Sequence, residues 1–171
     1  MEALTFPELE TWRLKLRTLT LADGEAVWRH FADEEVVRFM DIEPCHSLED
    51  ALEIIQFHLD DSGCRWGLFA KDTGRLTGTC GFHCWTREPE AKAELGYDLS
   101  PAYWGQGLMA EALAAVIAFG FAQMGLAMIE ATVEPDNVRS LRVLEGLGFQ
   151  RSDELADGLV YYSLNAPGQR E

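Results

Sequence analysis

The segment YWGQGLMAEAL at 103–113 constrains the fold more than any other part of the chain. Gly105 and Gly107 stand directly before apolar residues that recur with helical spacing over 108–117. The first turn of a helix leaves backbone N–H groups unpaired, and the helix dipole adds positive potential there. Glycines let a ligand approach this backbone closely, because they carry no Cβ. The pattern predicts a phosphate- or pyrophosphate-binding turn, with a plain tight turn as the alternative.

Hydrophobic periodicity divides the rest of the chain into strands and helices. Strands are predicted over 11–19, 65–70, 75–86, 92–99, 128–133, 149–154 and 158–164. Helices are predicted over 22–32, from 47 to about 59, from the glycine turn to about 123 and from 137 onward, with a short helical piece around 34–40. This order predicts a mixed sheet covered by helices, in one domain spanning 1–171.

Composition limits the partners of this chain. Its net charge of −15 comes from 29 acidic and 14 basic residues. Nucleic acids and anionic membranes bind preferentially to basic protein surfaces, so neither is expected as the main partner. A cationic amine as partner is compatible with the negative net charge. The N-terminus lacks an apolar signal-peptide core, and no apolar stretch is long enough to span a bilayer. We therefore expect a cytoplasmic protein.

The cysteines and histidines give no pattern typical of a disulfide framework or a metal site. Cys80 and Cys84 are predicted to share one face of a strand about 13 Å apart, too far for a disulfide. His83 would point to the opposite face, so no metal site is expected. His46 and His58 are predicted to lie on the surface. These expectations agree with a reduced, cytoplasmic protein.

Four segments then occur in an order that resembles a known family. They are the strand AELGYDL at 93–99, Pro101, the glycine turn, and NVRSLRVLEGLGF at 137–149. Together they resemble the GNAT superfamily of acetyl-CoA-dependent N-acetyltransferases, and more narrowly the branch of ribosomal-protein N-terminal alanine and serine acetyltransferases. The resemblance spans about residues 10 to 164. It implies an α/β (α+β) GNAT acyl-CoA N-acyltransferase fold, whose mostly antiparallel mixed sheet has a splayed cofactor cleft and about four covering helices.

The resemblance also implies acetyl-CoA as co-substrate. The pyrophosphate would lie on the backbone amides of 105–110 and the pantetheine arm along the strand that ends near Leu99. Asn137 matches an asparagine that contacts pantetheine or the acceptor, and Ser140 matches a position near the thioester sulfur. Trp104 and Met109 depart from the family pattern without removing a backbone donor. The cofactor-binding residues implied in this way are Leu99, Trp104, Gly105, Gln106, Gly107, Leu108, Met109, Ala110, Asn137 and Ser140.

Two residues are candidates for the chemistry. Glu94 matches a frequent family glutamate and could accept the proton of the amine; the alternative is a solvated strand residue, or one that pairs with a neighbouring basic side chain. Ser140 could assist the departing thiolate, or make only local hydrogen bonds. Leu144 stands where many members carry a tyrosine general acid, and it cannot donate a proton. Tyr97, on the other face from Glu94, is predicted to pack in the core, and Glu111 to be a first-turn acid placed favourably in the helix dipole.

The predicted reaction is direct attack of a primary amine on acetyl-CoA, with a protein N-terminus or a small-molecule amine as acceptor. The enzyme is expected to be a monomer or homodimer. His83 and Trp85 could line an acceptor pocket, but sheet packing is favoured for both. A non-catalytic acyl-CoA-binding module is one alternative, supported by Leu144. A dinucleotide-binding oxidoreductase is another, because Gly105-x-Gly107-x-x-Ala110 with Glu130 matches that fingerprint, but too few parallel strands remain after the turn.

Overall fold

One eight-stranded sheet organises residues 6–61 and 64–168, which the computed structural model describes. The strands are β1 (Leu9–Glu10), β2 (Leu14–Thr18), β3 (Cys64–Ala70), β4 (Leu76–Thr86), β5 (Lys92–Leu99), β6 (Met128–Val133), β7 (Gln150–Ala156) and β8 (Leu159–Asn165). Their order is β1-β2-β3-β4-β5-β6-β8-β7. Each neighbouring pair is antiparallel except β5 and β6. The mixed, mostly antiparallel sheet is therefore confirmed.

Helices cover both faces of this sheet. They are α1 (Gly24–Phe31), α2 (Glu34–Val37), α3 (Leu48–Asp60), α4 (Leu108–Ala122) and α5 (Val138–Gly146), with 3-10 turns at Leu21–Asp23 and Pro101–Tyr103. The short α2 corresponds to the helical piece predicted around 34–40. None of the helices in the described residues has the length and apolar character to cross a bilayer.

Two hydrophobic cores lie on opposite faces of the sheet. On one face, Trp66 and Leu113 belong to a large core that includes α4 and part of α5. On the other face, Phe31 and Ile55 belong to a smaller core built with α1 and α3. Every residue of β3 is buried, because its Cys64, Trp66 and Leu68 enter the large core and its Phe69 enters the smaller one.

Local signals in the sequence set the helix starts. The Ser47 hydroxyl accepts a hydrogen bond from the backbone N of Asp50 and caps α3. The side chain of Asn137 accepts from the backbone N of Ser140 and caps α5. Both helices begin where the capping pattern predicts. Pro101, which cannot donate to a ladder, follows the end of β5 and opens a 3-10 turn.

One predicted strand is shorter than expected, and one prediction about a strand face was wrong. The predicted strand at 11–19 begins only at Leu14, and β1 is too short to show periodicity. The register of β4 shifts between His83 and Thr86, and Cys84 adopts a φ of 51°. Cys80 is consequently buried while Cys84 is exposed, so the two do not share a face. All four cysteines are free thiols.

Candidate active site

β5 and β6 separate part-way along their length. Their parallel ladder ends where Glu94 lies opposite Glu130. β5 then continues to Leu99 along β4, and β6 continues to Val133 along β8. A cleft of about 1000 Å³ opens between them. The splayed cleft expected from the resemblance is therefore present.

The glycine turn closes one end of this cleft. Gly105 and Gly107 have φ values of 74° and 76°, a region that other residues rarely adopt. A Cβ on Gly105 would meet no atom within 4 Å, so the backbone faces open space. Within the described residues, no acceptor takes a hydrogen bond from the backbone N–H groups of 105–110. These donors stand at the N-terminus of α4, and they fit a pyrophosphate.

An ion pair braces the turn from the outside. Glu111, in the first turn of α4, accepts hydrogen bonds of 2.5–2.9 Å from Thr11 Oγ1 and from the backbone N and Nε of Arg13. Arg13 Nη1 also donates to the carbonyl of Gln106 at 2.9 Å. Glu111 therefore ties the glycine turn to the start of β2, a role that its position near the helix N-terminus alone did not predict.

Four arginines bring positive charge to the cleft of an acidic chain, and two of them also lie on α5. Arg139 and Arg142 lie on α5 and line the cleft. The guanidinium carbon of Arg139 is 3.3 Å from the centroid of the Trp104 ring, a cation–π contact. Trp104 Nε1 donates to the carbonyl of Leu99 at 2.8 Å, so that carbonyl is already paired. Guanidinium groups suit phosphates. The sequence carried the signal, two arginines just after Asn137, but we did not single them out.

Glu94 lies where the cleft opens. Its Oε1 accepts a hydrogen bond from Thr132 Oγ1 at 3.0 Å. Its Oε2 has no hydrogen-bond partner among the described residues, and the side chain is half-buried and lines the cleft. The carboxylate is thus fixed through one oxygen and open at the other. It can accept a proton from an amine or from a bridging water.

The sequence predicted that Tyr97 packs in the core. The structure shows that it does so and that its hydroxyl also reaches the cleft. Its ring packs against the large core, but its hydroxyl lies 2.5 Å from Ser140 Oγ in the cleft. Burial raises the pKa of Tyr97 to about 12. Leu144 is fully buried behind Ser140 on α5 and offers no proton. Sequence reasoning missed the pair because the two residues come from separate elements, and only the splay brings them together.

A buried polar cluster supports β5 on the other face. Asp98 Oδ1 accepts from His30 Nε2 at 2.5 Å, and its Oδ2 accepts from Arg65 Nη2 at 2.8 Å and Thr79 Oγ1 at 2.6 Å. Burial alone would raise the pKa of Asp98, but His30 and Arg65 outweigh it and hold that pKa well below its usual range. The cluster ties α1, β3 and β4 to β5 beneath the cleft.

His83 lines the cleft instead of only packing in the sheet. Its Nε2 is 2.7 Å from Arg65 Nη1, and its Nδ1 is 3.3 Å from a carboxylate oxygen of Asp61. Arg65 can only donate, so His83 Nε2 accepts and the imidazole is neutral, with its hydrogen on Nδ1. Burial, and then the charge of Arg65, lower the pKa of His83 accordingly.

The structure brings nearly all the predicted site residues together. Glu94 reaches the cleft from one face of β5, and Ser140 reaches it from α5 beside Tyr97, on the other face. Gln106 does not line the cleft, because its carbonyl turns outward to Arg13. In residues 6–61 and 64–168 no group of three or more side chains is arranged to hold a metal. The predicted cofactor residues that line the cleft are Leu99, Trp104, Gly105, Gly107, Leu108, Met109, Ala110, Asn137 and Ser140.

Comparison with known proteins identifies the family. The Acetyltransferase (GNAT) domain matches residues 13–150. The chain belongs to the GNAT acetyltransferase family. This GNAT protein is an N-acetyltransferase that uses acetyl-CoA and transfers the acetyl group to an amine.

Individual relatives agree with that assignment. An uncharacterised N-acetyltransferase of Bacillus subtilis, YoaA, is 39% identical over 154 residues, covering 88% of this chain and 86% of the relative. The [ribosomal protein uS5]-alanine N-acetyltransferase of Escherichia coli is 33% identical over 107 residues, covering 63% of this chain and 55% of that enzyme. A GNAT acetyltransferase structure from Bacillus anthracis superposes with a TM-score of 0.80 at 25% identity, covering 94% and 99% of the two chains.

The fold also decides against the oxidoreductase alternative. A doubly wound dinucleotide domain needs several parallel strands, whereas this sheet has one parallel pair, β5 with β6. Glu130 lies in the middle of β6 and pairs with Lys92 Nζ and the Tyr161 hydroxyl. It is therefore not at a strand end, where a ribose would lie.

Proposed function

We propose that this GNAT enzyme acetylates the N-terminal amine of a protein or peptide, with Glu94 as proton acceptor and Ser140 beside the leaving sulfur. The observation that carries the proposal is the cleft between β5 and β6. One face of the sheet offers it a carboxylate with a free oxygen, and the other face offers a serine hydroxyl. An amine arriving from one side and a thiolate leaving on the other suit direct attack.

The cleft would hold acetyl-CoA along its whole length. The N–H groups of 105–110 would bind the pyrophosphate, and Arg139 would add a positive charge beside it. The edge of β5 beyond Glu94 is not paired with β6, so its backbone can bind the amide-rich pantetheine arm. Asn137 lies at the start of α5, next to that path.

Acetyl-CoA supplies a thioester whose C–S bond breaks as the amine nitrogen bonds to the carbonyl carbon, the electron pair leaving with sulfur. Glu94 takes the surplus proton from the nitrogen, directly or through water. Thr132 holds that carboxylate in place by its hydrogen bond. Ser140 donates a hydrogen bond toward the sulfur, a role that Leu144 cannot fill.

Three arguments support a peptide N-terminus as acceptor. The Escherichia coli relative is named for acetylating the alanine of a ribosomal protein. An α-amino group has a pKa of about 7.7–8.0 against about 10.4 for lysine, so more of it is neutral and nucleophilic near pH 7. Acidic side chains that line the cleft, among them Glu35, Asp41 and Glu134, would attract an amine that arrives protonated.

The test is release of CoA from acetyl-CoA in the presence of alanine- and serine-initiating peptides. We expect turnover with free N-termini and none with the same peptides formylated at the N-terminus, and mass spectrometry should place the acetyl group on the first residue. Glu94→Gln should lower kcat at least about tenfold with acetyl-CoA affinity kept, whereas Glu53→Gln, at an exposed site on α3, should leave kcat unchanged.

Three other outcomes would contradict parts of the proposal. Turnover with a polyamine or an aminoglycoside but with no peptide would make the acceptor a small molecule. Calorimetric binding of acetyl-CoA without turnover on any amine would favour a non-catalytic acyl-CoA-binding module. An unchanged kcat in Glu94→Gln would remove Glu94 from the mechanism.

We also infer a cytoplasmic enzyme that is a monomer or a homodimer. The four free thiols, three of them buried, suit a reducing compartment. Cell fractionation tests the location, and light scattering of the purified protein tests the oligomeric state.

A further inference from the structure

We propose that Tyr97 is a positioning residue, which orients the Ser140 hydroxyl so that its hydrogen points at the leaving sulfur. The inference rests on the role proposed above for Ser140. It adds a residue from β5, on the strand face that we had predicted to serve only for packing.

The distances, together with the acidity of a phenol, support Tyr97 as the hydrogen-bond donor to Ser140. The Tyr97 hydroxyl lies 2.5 Å from Ser140 Oγ and 3.3 Å from the Ser140 carbonyl oxygen. A phenol, with a pKa near 10, is a much stronger acid than an aliphatic alcohol and is the better donor. Tyr97 therefore donates to Ser140 Oγ at the shorter distance, and the serine keeps its own hydrogen for another acceptor.

Within the described part of the chain, the Ser140 hydroxyl makes one hydrogen bond, with Tyr97. A serine inside a helix often donates to the carbonyl four residues earlier, here Asp136. No such bond forms, and Ser140 Oγ has no hydrogen-bond partner other than Tyr97 among residues 6–61 and 64–168. Its hydrogen can point into the cleft, which Ser140 lines. A developing thiolate there would receive it.

Tyr97 acts as a donor and does not give up its proton. Burial raises the pKa of Tyr97 to about 12, far above that of a thiol at about 8.5. A proton from the phenol would not pass to the sulfur, so the thiolate is stabilised by the Ser140 hydrogen bond and is protonated later by solvent. The charged side chains that line the same cleft stay constant among the variants below. They are the arginines Arg38, Arg65, Arg139 and Arg142 and the carboxylates Glu35, Asp41, Glu94, Asp98, Glu134 and Asp157.

The test measures the thiol of bound CoA and does not depend on turnover. Ultraviolet absorbance of the thiolate, followed against pH, gives the pKa of that thiol in wild type, Tyr97→Phe, Ser140→Ala and the double variant. We expect Tyr97→Phe to raise it by about one pH unit, the scale of a hydrogen bond to a charged group. Ser140→Ala should do the same, and the double variant should add nothing further.

The matched control is Tyr162→Phe. It also removes a buried tyrosine hydroxyl bonded to α5, since Tyr162 donates to Glu145 Oε1 at 2.9 Å outside the cleft. We expect it to leave the thiol pKa unchanged. With peptide acceptors, Tyr97→Phe should lower kcat about tenfold at constant KM for acetyl-CoA.

The outcomes separate this inference from the proposals beneath it. A thiol pKa that changes in Ser140→Ala but not in Tyr97→Phe overturns the inference and keeps the role of Ser140. A pKa that changes in neither variant overturns both. Failure of CoA to bind the wild-type protein overturns the cofactor site itself. Equal shifts in Tyr97→Phe and Tyr162→Phe would show a general loosening of α5 and would also overturn the inference.

Discussion

Arg13 Nε lies 2.9 Å from Glu111 Oε1, although 98 positions of sequence separate the two residues. This pair holds the N-terminus of α4 against the start of β2. Arg13 also binds the carbonyl of Gln106 in the glycine turn. The geometry of the turn therefore depends on residues far from it in sequence.

Glu111→Ala should weaken CoA binding without touching the ligand. It removes three hydrogen bonds at a partly buried site, so we expect the free energy of unfolding to fall by about 1–3 kcal/mol. The Kd for CoA should rise, because the N–H groups of 105–110 lose their fixed orientation. Chemical denaturation and calorimetry measure the two effects. Glu8→Gln, which breaks the exposed pair with Lys15, should change neither, and an unchanged Kd in Glu111→Ala would contradict the bracing role.

Gly107→Ala should damage the phosphate site more than it damages the fold. Its φ of 76° strains any residue with a Cβ, at a cost of about 1–2 kcal/mol. Gly125→Ala, with a φ of 69° at the far end of α4, is the matched control. We expect similar losses of thermal stability, but a Kd for CoA raised about tenfold or more only in Gly107→Ala. Equal CoA affinity in the two variants would mean that the turn does not bind the ligand.

Asp98→Asn should be the most destabilising of these substitutions. It leaves the buried Arg65 guanidinium without its carboxylate, which typically costs about 3–5 kcal/mol. Urea denaturation at pH 7 measures the loss. A cost below about 1 kcal/mol, typical of exposed pairs, would show that the cluster does not support β5.

The carboxylate of Asp98 should also make the folded protein less stable in acid. The pKa of Asp98 is lower in the folded protein than in the unfolded chain, so its contribution is complete above the unfolded value of about 3.9. The contribution is lost as pH falls below that value toward the folded pKa. Stability measured below about pH 4 should fall more steeply in wild type than in Asp98→Asn. Parallel curves would contradict this assignment.

His58 should contribute a second loss of stability, at higher pH. We predicted a surface position, but the imidazole is half-buried, and burial followed by the charge of Arg65 lowers the pKa of His58 from 6.5 to about 4. Between these values the unfolded chain binds a proton that the folded protein does not. The free energy of unfolding therefore decreases as the pH is lowered through that window. NMR titration of the histidine gives the pKa directly. A midpoint near 6.5 would contradict the prediction.

Part of the site could be predicted because its determinants are local. The role of Gly105 and Gly107 depends only on their positive φ and on the helix that follows them. The capping role of Asn137 depends only on the first turn of α5. The face that Tyr97 takes was predicted correctly, but the contact of its hydroxyl with Ser140 was not, because the alternation of a strand indicates which face a side chain takes and not how far its tip reaches beyond the core. The prediction that Cys84 shares a face with Cys80 was wrong because nothing in the local sequence indicates the register shift after His83. That residues 1–171 form one domain stays a prediction.

The sequence by itself determined most of the strands and helices, the glycine turn and the family of this protein, because caps, periodicity and turn glycines act over a few neighbouring residues. Only the tertiary structure decided where β5 leaves β6, and therefore which residues face each other across the cleft. Tyr97 meets Ser140 and Arg13 meets Glu111 through packing between distant segments. Such contacts depend on the path of the whole chain, which no short stretch of residues records.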